Sequence, residues 1–327
     1  MSDTIRWGIL GTGYIAGAFA EDLVAHGFSI TAVGSRTADA AAEFAARFGI
    51  PAAHGSYEAL AADPDVDIVY VSTPHPFHAA NAKLVLEGGK HALVEKPFTI
   101  NATEAREVTE LAERNGLLVL EAMWTRWLPH MVRIRQILAA GMIGDVRSMI
   151  ADHTQNLTRD PEHRINNPAL GGGALLDLGI YPVSFAWDVF GEPQSVYAIS
   201  SPTATGVDRQ TAIVLGFESG RQALLHAQLD VKGPNVAQIM GDEGRIEIDP
   251  IWYSPTTFRV YNRVGEVIES FDQPVEARGM QYQAWEAERL IAAGATRSDI
   301  LSPAETVGIM QTLDAIREQI GLSYPGE

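Results

Sequence analysis

Apolar runs and amphipathic stretches alternate through about the first 120 residues of the chain. The short apolar runs are typical of buried strands, and stretches with apolar residues every three or four positions predict helices. Gly49 and Gly116 follow two of these helical stretches, and Asn101 with Glu104 resembles a capping box. Strands that alternate with helices at this spacing predict a doubly wound parallel sheet. The predicted strands cover residues 5–10, 30–34, 67–73, 92–94 and 117–121.

The pattern changes after about residue 124. A helix is predicted at 129–140, a strand at 145–153 and a second, largely apolar helix at 174–190, which Pro182 must kink or begin. Strand-like segments separated by turn residues then predict an antiparallel sheet, and two helices end the chain. We therefore predict an α/β domain at 1–123 and an α+β domain at 124–327. The later elements are strands at 196–200, 212–217, 223–229 and 245–248, turns at 218–220 and 242–244, and helices at 280–293 and 303–320.

Composition narrows the possible functions. The chain has 327 residues, of which 46% are hydrophobic and 20% charged, as in ordinary globular proteins. A formal net charge of −17 argues against binding to nucleic acids or anionic membranes. The absence of cysteine excludes disulfides and thiolate metal sites, and no paired-histidine spacing predicts a metal centre. No apolar stretch approaches the roughly 20 residues of a membrane span, and no secretory signal is visible, so a cytoplasmic location is expected.

A glycine-rich turn follows the first predicted strand. Gly11-x-Gly13-x-x-Ala16 lies between that strand and a helix, in a unit of βαβ size. Glycines at these positions allow a tight turn and let a pyrophosphate approach the backbone at the helix N-terminus. The turn predicts dinucleotide binding by Gly11, Gly13, Tyr14 and Ile15; the alternative is a packing turn without ligand.

The end of the second strand indicates which dinucleotide binds. NAD-binding domains commonly have an acidic residue there, whereas this chain has Ser35-Arg36-Thr37. A carboxylate would repel a 2′-phosphate, while serine and arginine bind one. We predict NADP as cofactor, with Ser35 and Arg36 at its 2′-phosphate and with NAD still possible. The alternative is an exposed arginine without a ligand.

Two further segments lie at predicted carboxyl ends of strands, where open α/β sheets bind ligands. Thr73, Pro74 and His78 follow the third strand, where the nicotinamide end of the cofactor should pass. His75 and His78 could each contact the ribose, and each can equally cap the next helix. Glu95-Lys96-Pro97 ends the strand at 92–94, and its alternative is a pair of solvated charges.

A second glycine-rich segment lies in the later part of the chain. Gly171-Gly172-Gly173 precedes a helical stretch in which Asp177 and Tyr181 are four residues apart and share one face. That face presents a carboxylate beside a phenol. The alternative is an ordinary structural hydrogen bond.

Five segments together carry a family resemblance: GILGTGYIA, TPHPFH, GKHALVEKPF, GGGALLDLGIY and GDEGRIEI. Over essentially its whole length the chain resembles the family of glucose–fructose oxidoreductase and inositol dehydrogenase. Tyr181 stands where most members have histidine, and with EAMWTR at 121–126 it resembles the branch of dimeric dihydrodiol dehydrogenase and NADP-dependent D-xylose dehydrogenase. The resemblance implies a Rossmann domain at 1–123 and, at 124–327, a substrate-binding domain whose large sheet has one open face. It also implies a homodimer or homotetramer formed through that sheet, a cis Lys96–Pro97 peptide, and Lys96 within the site.

The resemblance implies hydride transfer between the nicotinamide and a hydroxyl-bearing carbon of a sugar, polyol or trans-dihydrodiol. A free tyrosine titrates near ~10, so we expect the Lys96 ammonium to stabilise the Tyr181 phenolate that carries the hydroxyl proton. Asp177 would orient Lys96 or the substrate hydroxyls. The alternative gives the proton transfer to Lys96 and substrate binding to Tyr181. Glu95 is expected to hold the nicotinamide end of the cofactor rather than to move protons.

Trp124, Arg126 and Trp127 are the candidates for the sugar pocket, since aromatic rings stack on sugar C–H faces and arginine donates to hydroxyls. The alternative for the two tryptophans is a hydrophobic contact between the domains. His153 and Asn156 are further candidates. Two other functions stay open: an inositol, anhydrofructose or phosphorylated-sugar oxidoreductase, or a catalytically inactive NADP-responsive regulator. The presence of Lys96, Asp177 and Tyr181 together argues against the regulator.

Overall fold

The computed structural model describes residues 4–327. The chain folds into two compact units, which we call unit 1 (1–124 and 276–307) and unit 2 (125–275 and 308–327). The strands, in chain order, are β1 Arg6–Leu10, β2 Ser29–Gly34, β3 Ala52–His54, β4 Ile68–Val71, β5 His91–Glu95, β6 Val119–Ala122, β7 Val146–Thr154, β8 Ser195–Pro202, β9 Asp208–Gly216, β10 Gln222–Gln228, β11 Ala237–Gly241, β12 Gly244–Ile248, β13 Phe258–Asn262 and β14 Val267–Phe271. The α-helices are α1 Tyr14–Ala25, α2 Ala38–Phe48, α3 Tyr57–Ala61, α4 His78–Glu87, α5 Ala102–Asn115, α6 Pro129–Ala139, α7 Ile180–Phe190, α8 Gln281–Ala292 and α9 Pro303–Ile320.

Unit 1 contains a parallel sheet of six strands in the order β3-β2-β1-β4-β5-β6. This order is that of a doubly wound dinucleotide-binding fold, so the predicted α/β architecture is confirmed. All four residues of β4 are buried, as expected for a strand covered on both faces. The edge strand β3 was not predicted, because three residues of sequence Ala-Ala-His carry no strand pattern.

Unit 1 also includes residues 276–307, whereas the sequence-based division assigned all of 124–327 to the second domain. The buried carboxylate of Asp22 on α1 accepts hydrogen bonds from the backbone N–H groups of Arg278 (3.1 Å) and Met280 (2.7 Å). The indole Nε1 of Trp7 on β1 donates to Glu288 on α8 (2.9 Å). These bonds fix the late segment to the first strand and helix. Periodicity along the chain gives no sign of such long-range bonds.

Unit 2 contains an eight-stranded sheet in the order β14-β13-β12-β11-β7-β10-β9-β8. Only β7 and β10 pair in parallel, so the predicted, mostly antiparallel sheet is confirmed. Burial alternates along β9, as expected for a sheet with one packed and one exposed face. The turns at 218–220 and 242–244 join β9 to β10 and β11 to β12 as predicted. Strands β11, β13 and β14 were not predicted.

The helix that carries Asp177 and Tyr181 is almost wholly buried in the core of unit 2. Its first turn, Leu175–Gly179, is a π-helix and continues directly into α7, with Pro182 near the start of α7. Contrary to the sequence-based expectation, residues 168–190 have the length and mean hydropathy (1.3) of a membrane span. However, 89% of the 18-residue stretch with this hydropathy is buried within the protein, which is typical of a core helix.

Candidate functional site

The glycine-rich turn of unit 1 follows β1 at the carboxyl edge of the parallel sheet. Gly11 has a φ of +106°, and an added Cβ would lie 2.9 Å from the hydroxyl oxygen of Ser72. Its N–H donates to the carbonyl oxygen of Gly34 at the end of β2 (2.9 Å). Gly11 is therefore required by both conformation and space, and it turns the chain sharply from strand to helix.

Gly13 differs from Gly11 because, apart from its two chain neighbours, no residue of 4–327 has an atom within 4 Å of the place where its Cβ would be. Its φ of −78° is allowed for any residue, so conformation alone does not call for glycine. Tyr14, which is 80% exposed, and the half-buried Ile15 then begin α1, whose first turn contains no acidic residue. An open backbone at the N-terminus of a helix with no acidic residue in its first turn fits a dinucleotide pyrophosphate.

Ser35 and Arg36 lie where β2 ends, as predicted. The hydroxyls of Ser35 and Thr12 are within hydrogen-bond distance (3.3 Å), so the serine borders the glycine-rich turn. Arg36 is exposed, and no carboxylate of residues 4–327 lies within ion-pair distance of its guanidinium. Burial raises the pKa of the Tyr57 hydroxyl, and the positive charge of Arg36 opposes that rise. Arg36 is thus a cation available to a ligand.

His78 is fully buried, and its predicted contact with the cofactor stays a prediction. Its Nδ1 lies 2.8 Å from the carbonyl oxygen of Pro97, and its Nε2 lies 2.6 Å from that of Thr73. Burial lowers the pKa of the imidazole. His78 therefore joins two segments of the carboxyl edge, which is the structural alternative. Pro74 beside it is exposed, and the Thr73 hydroxyl accepts from Asn81 (3.1 Å).

Glu95 and Lys96 end β5, and the Lys96–Pro97 peptide is cis, as the resemblance implied. The Glu95 carboxyl is 5% exposed; it accepts from the hydroxyl of Tyr70 and from the backbone N–H of Lys96 (3.2 Å). Burial raises the pKa of Glu95, against the positive charge of Lys96. Lys96 itself is half-buried at this edge. Glu95 is held by protein groups, so its predicted contact with the cofactor stays a prediction.

The glycine run of unit 2 is crowded on all sides. An added Cβ at Gly172 would lie 2.6 Å from the carbonyl oxygen of Ile165, and one at Gly173 would lie 2.1 Å from Oδ1 of Asp208. The Tyr324 hydroxyl donates to the carbonyl oxygen of Gly172 (2.7 Å). Asp208 accepts from the backbone N–H of Leu175 (2.8 Å), in the first turn of the helix. The run is thus a close junction of four parts of unit 2.

Asp177 and Tyr181 are both buried, at 6% and 8% exposure. Asp177 pairs with the guanidinium of Arg164 (3.1 Å), which lies in the polar stretch before the glycine run. π-Turns inside helices occur frequently at functional sites. The π-helix Leu175–Gly179 contains Asp177 and ends two residues before Tyr181. Their placement on one helical element is as predicted, although one turn is wider than expected.

Tyr181 belongs to an aromatic cluster in unit 2 with His153 and Tyr253. The ring centroid of Tyr181 lies 4.9 Å from that of His153 and 5.4 Å from that of Tyr253. The rings of His153 and Tyr253 stack, with centroids 3.7 Å apart. Gln155 donates to the hydroxyl of Tyr253 (2.9 Å). Burial raises the pKa of Tyr253 further above its usual range. Sequence reasoning named His153 but missed Tyr253, whose only signal is an aromatic pair with Trp252 in a loop.

The predicted role of Arg126 in substrate binding stays a prediction. The side chain is 3% exposed, and its guanidinium contacts a carboxylate oxygen of Asp188 (3.1 Å) and the carbonyl oxygen of Ser184 (2.7 Å). These contacts hold the Arg126 side chain against α7. Trp124, in unit 1, is 5% exposed, and the guanidinium of Arg278 lies 5.8 Å from its ring centroid.

Residues 4–327 contain no group of three or more acidic, histidine or cysteine side chains placed to hold a metal ion. The roles of Lys96, Asp177 and Tyr181 in catalysis stay predictions.

Family models match both parts of the chain. Residues 5–123 match the model described as an oxidoreductase family with an NAD-binding Rossmann fold. Residues 131–247 match the GFO/IDH/MocA C-terminal domain.

Characterised enzymes are similar over nearly the whole chain. A trans-1,2-dihydrobenzene-1,2-diol dehydrogenase from Bos taurus is 35% identical, with 98% of each chain covered. A D-xylose 1-dehydrogenase (NADP(+)) from Hypocrea jecorina is 34% identical, over 98% of this chain and 93% of that protein.

Solved structures agree with these matches. The 3-ketoreductase KijD10 from Actinomadura kijaniata, in complex with NADP, is 27% identical with a TM-score of 0.86, over 97% of this chain and 98% of that one. An aldose–aldose oxidoreductase from Caulobacter crescentus, complexed with glycerol, is 26% identical with a TM-score of 0.87, over 97% of each chain. The chain therefore belongs to the GFO/IDH/MocA family and is an oxidoreductase with an NAD-binding Rossmann domain.

Proposed function

We propose that the protein is an NADP-dependent oxidoreductase that interconverts a hydroxyl and a carbonyl on a sugar, a polyol or a trans-dihydrodiol. The observation that carries the proposal is the open backbone at Gly13, together with the available cation Arg36 at the end of β2, in a chain 35% identical to a dihydrodiol dehydrogenase. The inactive regulator is not favoured, since the relatives described above are enzymes along the full chain.

When bound, the cofactor accepts or supplies a hydride at its nicotinamide. The glycine-rich turn would hold the pyrophosphate at the N-terminus of α1, because Gly13 leaves the approach open. Ser35 and Arg36 would bind the 2′-phosphate, as the exposed guanidinium has no carboxylate partner among residues 4–327. The remaining task of the protein is to move one proton from or to the substrate oxygen.

We assign that proton to Tyr181, with the Lys96 ammonium lowering the pKa of the phenol and Asp177 orienting the substrate hydroxyls. Lys96 as the proton carrier is the competing assignment. The test is the pH dependence of kcat/KM for Tyr181→Phe and Lys96→Met. We expect Tyr181→Phe to lose at least about 100-fold, the usual size of a general acid–base contribution. Near-wild-type turnover with an unchanged pH profile would eliminate the tyrosine assignment.

Cofactor choice is tested by steady-state rates with NADP and NAD for the wild type and Arg36→Ala. We expect wild type to prefer NADP and Arg36→Ala to lose that preference, chiefly through a higher KM for NADP. Equal efficiency with both cofactors, unaffected by the substitution, would refute the assignment of Arg36.

The substrate class is tested by a panel of aldoses, polyols, inositols, phosphorylated sugars and trans-dihydrodiols, assayed in both directions. The proposal expects turnover of at least one unphosphorylated sugar, polyol or dihydrodiol. Turnover restricted to inositols or sugar phosphates would favour the competing oxidoreductase, and NADPH binding without any turnover would favour the regulator.

We also propose that the protein is a homodimer formed through the open face of the unit 2 sheet. On that face Tyr197, Val214, Leu224 and Ile150 lie side by side across four adjacent strands, and each is at least 40% exposed. Such a row of apolar side chains is unusual on a monomer surface and suits a symmetric interface.

The dimer is tested by light scattering after size-exclusion chromatography. We expect the mass of two chains for wild type and of one chain for Leu224→Arg. Val264→Arg is the control, since Val264 is 80% exposed in the turn between β13 and β14. A monomeric wild type, or a Leu224→Arg variant with unchanged mass, would contradict the proposal.

A further inference from the structure

The segment immediately before α8 has an unusual backbone. Ala277 has a φ of +58°, in the left-handed region, and Gly279 has a φ of +94°. A non-glycine residue in that region is strained and persists only where its surroundings hold it. Asp22, which is 2% exposed on α1, provides that support by accepting from the N–H groups of Arg278 and Met280. The backbone between Ala277 and Met280 is thus fixed to the helix that follows the glycine-rich turn.

This backbone directs Arg278 toward the start of α1. Its Nη1 donates to the hydroxyl of Tyr14 (3.0 Å), and Tyr14 is the residue that directly follows Gly13. The guanidinium carbon lies 5.8 Å from the ring centroids of both Tyr14 and Trp124. Two aromatic rings and a fixed backbone therefore limit the positions open to this exposed side chain.

Arg278 has no ion-pair partner within the described chain. No carboxylate of residues 4–327 lies within 4.0 Å of its guanidinium, and the nearby Asp22 carboxylate is used by backbone N–H groups. A protein with a net charge of −17 must hold an anionic cofactor through local cations. A positioned, unpaired guanidinium beside an open glycine at a dinucleotide turn meets that need.

We infer that Arg278 is a further cofactor-binding residue, which donates to the pyrophosphate of the bound dinucleotide, and that Asp22 positions it. The inference rests on the proposed function only in that a dinucleotide binds at the turn; it is independent of the substrate and of the 2′-phosphate. Neither residue was singled out by the sequence, because the two lie more than 250 positions apart.

The test is direct binding of NADPH to the protein without substrate, measured by calorimetry. Arg278→Met should raise the Kd about 10–100-fold, the effect of losing hydrogen bonds between charged groups. Arg278→Lys should recover part of the loss, because it keeps the charge. Arg263→Met is the control, since Arg263 is an exposed arginine in the turn after β13 and should leave the Kd unchanged.

A second probe, adenosine 2′-monophosphate, lacks the pyrophosphate. Arg278→Met should leave its affinity unchanged, whereas Arg36→Ala should weaken it. If Arg36→Ala has no effect on this probe, the proposed NADP preference fails while the inference on Arg278 stands. An unchanged Kd of NADPH for Arg278→Met, or an equal loss for both probes, would overturn the inference.

The positioning role of Asp22 is tested by a double-mutant cycle. Asp22→Asn should weaken NADPH binding in the wild-type background and add little in the Arg278→Met background. Additive losses would show that Asp22 acts on the turn independently of Arg278 and would overturn this part of the inference. The thermal midpoint of each variant, measured in parallel, separates lost binding from lost folding.

Discussion

Two glycine-rich segments of similar appearance have opposite surroundings. In unit 1, no atom of the described residues other than its chain neighbours lies within 4 Å of the position that a Cβ of Gly13 would take, so its small size leaves space at the surface. In unit 2, Gly172 and Gly173 would place a Cβ within 2.8 Å of protein oxygens, so their small size lets parts of the chain approach each other. The first segment is shaped for a ligand and the second for packing. A glycine motif therefore indicates that another group approaches the backbone closely, but it does not indicate whether that group is a ligand or another segment of the protein.

The largest effect is expected from Gly172→Ala. The new methyl group would lie 2.6 Å from the carbonyl oxygen of Ile165 and 2.8 Å from that of Arg164. Both are backbone atoms and cannot turn aside, so we expect a loss of about 4 kcal/mol or more in the free energy of unfolding. Urea denaturation measures it. A variant as stable as wild type would remove the distinction between the two segments.

Gly13→Ala should behave in the opposite way. The backbone conformation of Gly13 suits alanine, so the free energy of unfolding should stay within about 0.5 kcal/mol of wild type. The methyl group would occupy the proposed pyrophosphate position, and we expect the Kd of NADPH to rise roughly 100-fold, or about 2.7 kcal/mol. Denaturation and calorimetry on the same sample test both statements. Unchanged NADPH binding would mean that the cofactor does not approach this glycine.

Asp208 gives the unit 2 segment a pH dependence. Burial raises the pKa of its carboxyl to about 7, against the hydrogen bond from Thr211. From about pH 4 to 7 the folded protein retains a proton that the unfolded chain releases, so this group lowers stability as pH rises. Asp208→Asn keeps an acceptor for Leu175 and cannot titrate. Relative to wild type, it should gain at least about 1.4 kcal/mol between pH 4 and pH 7.

Unfolding free energies of both proteins at several pH values between 4 and 8 provide the measurement. A difference between the two that does not vary over this range would mean that Asp208 titrates normally.

The smallest effect is expected from Tyr324→Phe. The substitution removes the hydrogen bond to the carbonyl oxygen of Gly172 and keeps the buried ring. We expect a loss of about 1 kcal/mol in the free energy of unfolding, with no change in the Kd of NADPH. A change in cofactor affinity would mean that the glycine run of unit 2 influences the dinucleotide site.

The sequence predicted the elements that carry local signals. The parallel sheet, both hairpin turns, the helix over 303–320 and the family were predicted correctly, because each depends on residues near one another in the chain. The partners of the glycine run could not be predicted in this way. Asp208 is 33 positions from Leu175, and Tyr324 is 152 positions from Gly172. The sequence also contains no sign of the partner of Arg126. This charged residue lies in a recognisable motif, but its burial and its ion pair with Asp188 depend on the fold.

The bond network of Asp22 has a consequence for how the protein is made. Its two donors, Arg278 and Met280, leave the ribosome only after all fourteen strands have been synthesised. Until then the carboxylate on α1 lacks both donors, and the indole of Trp7 lacks Glu288. The dinucleotide-binding unit starts first in translation, but a nascent chain can complete it only after residues 276–307 have been added.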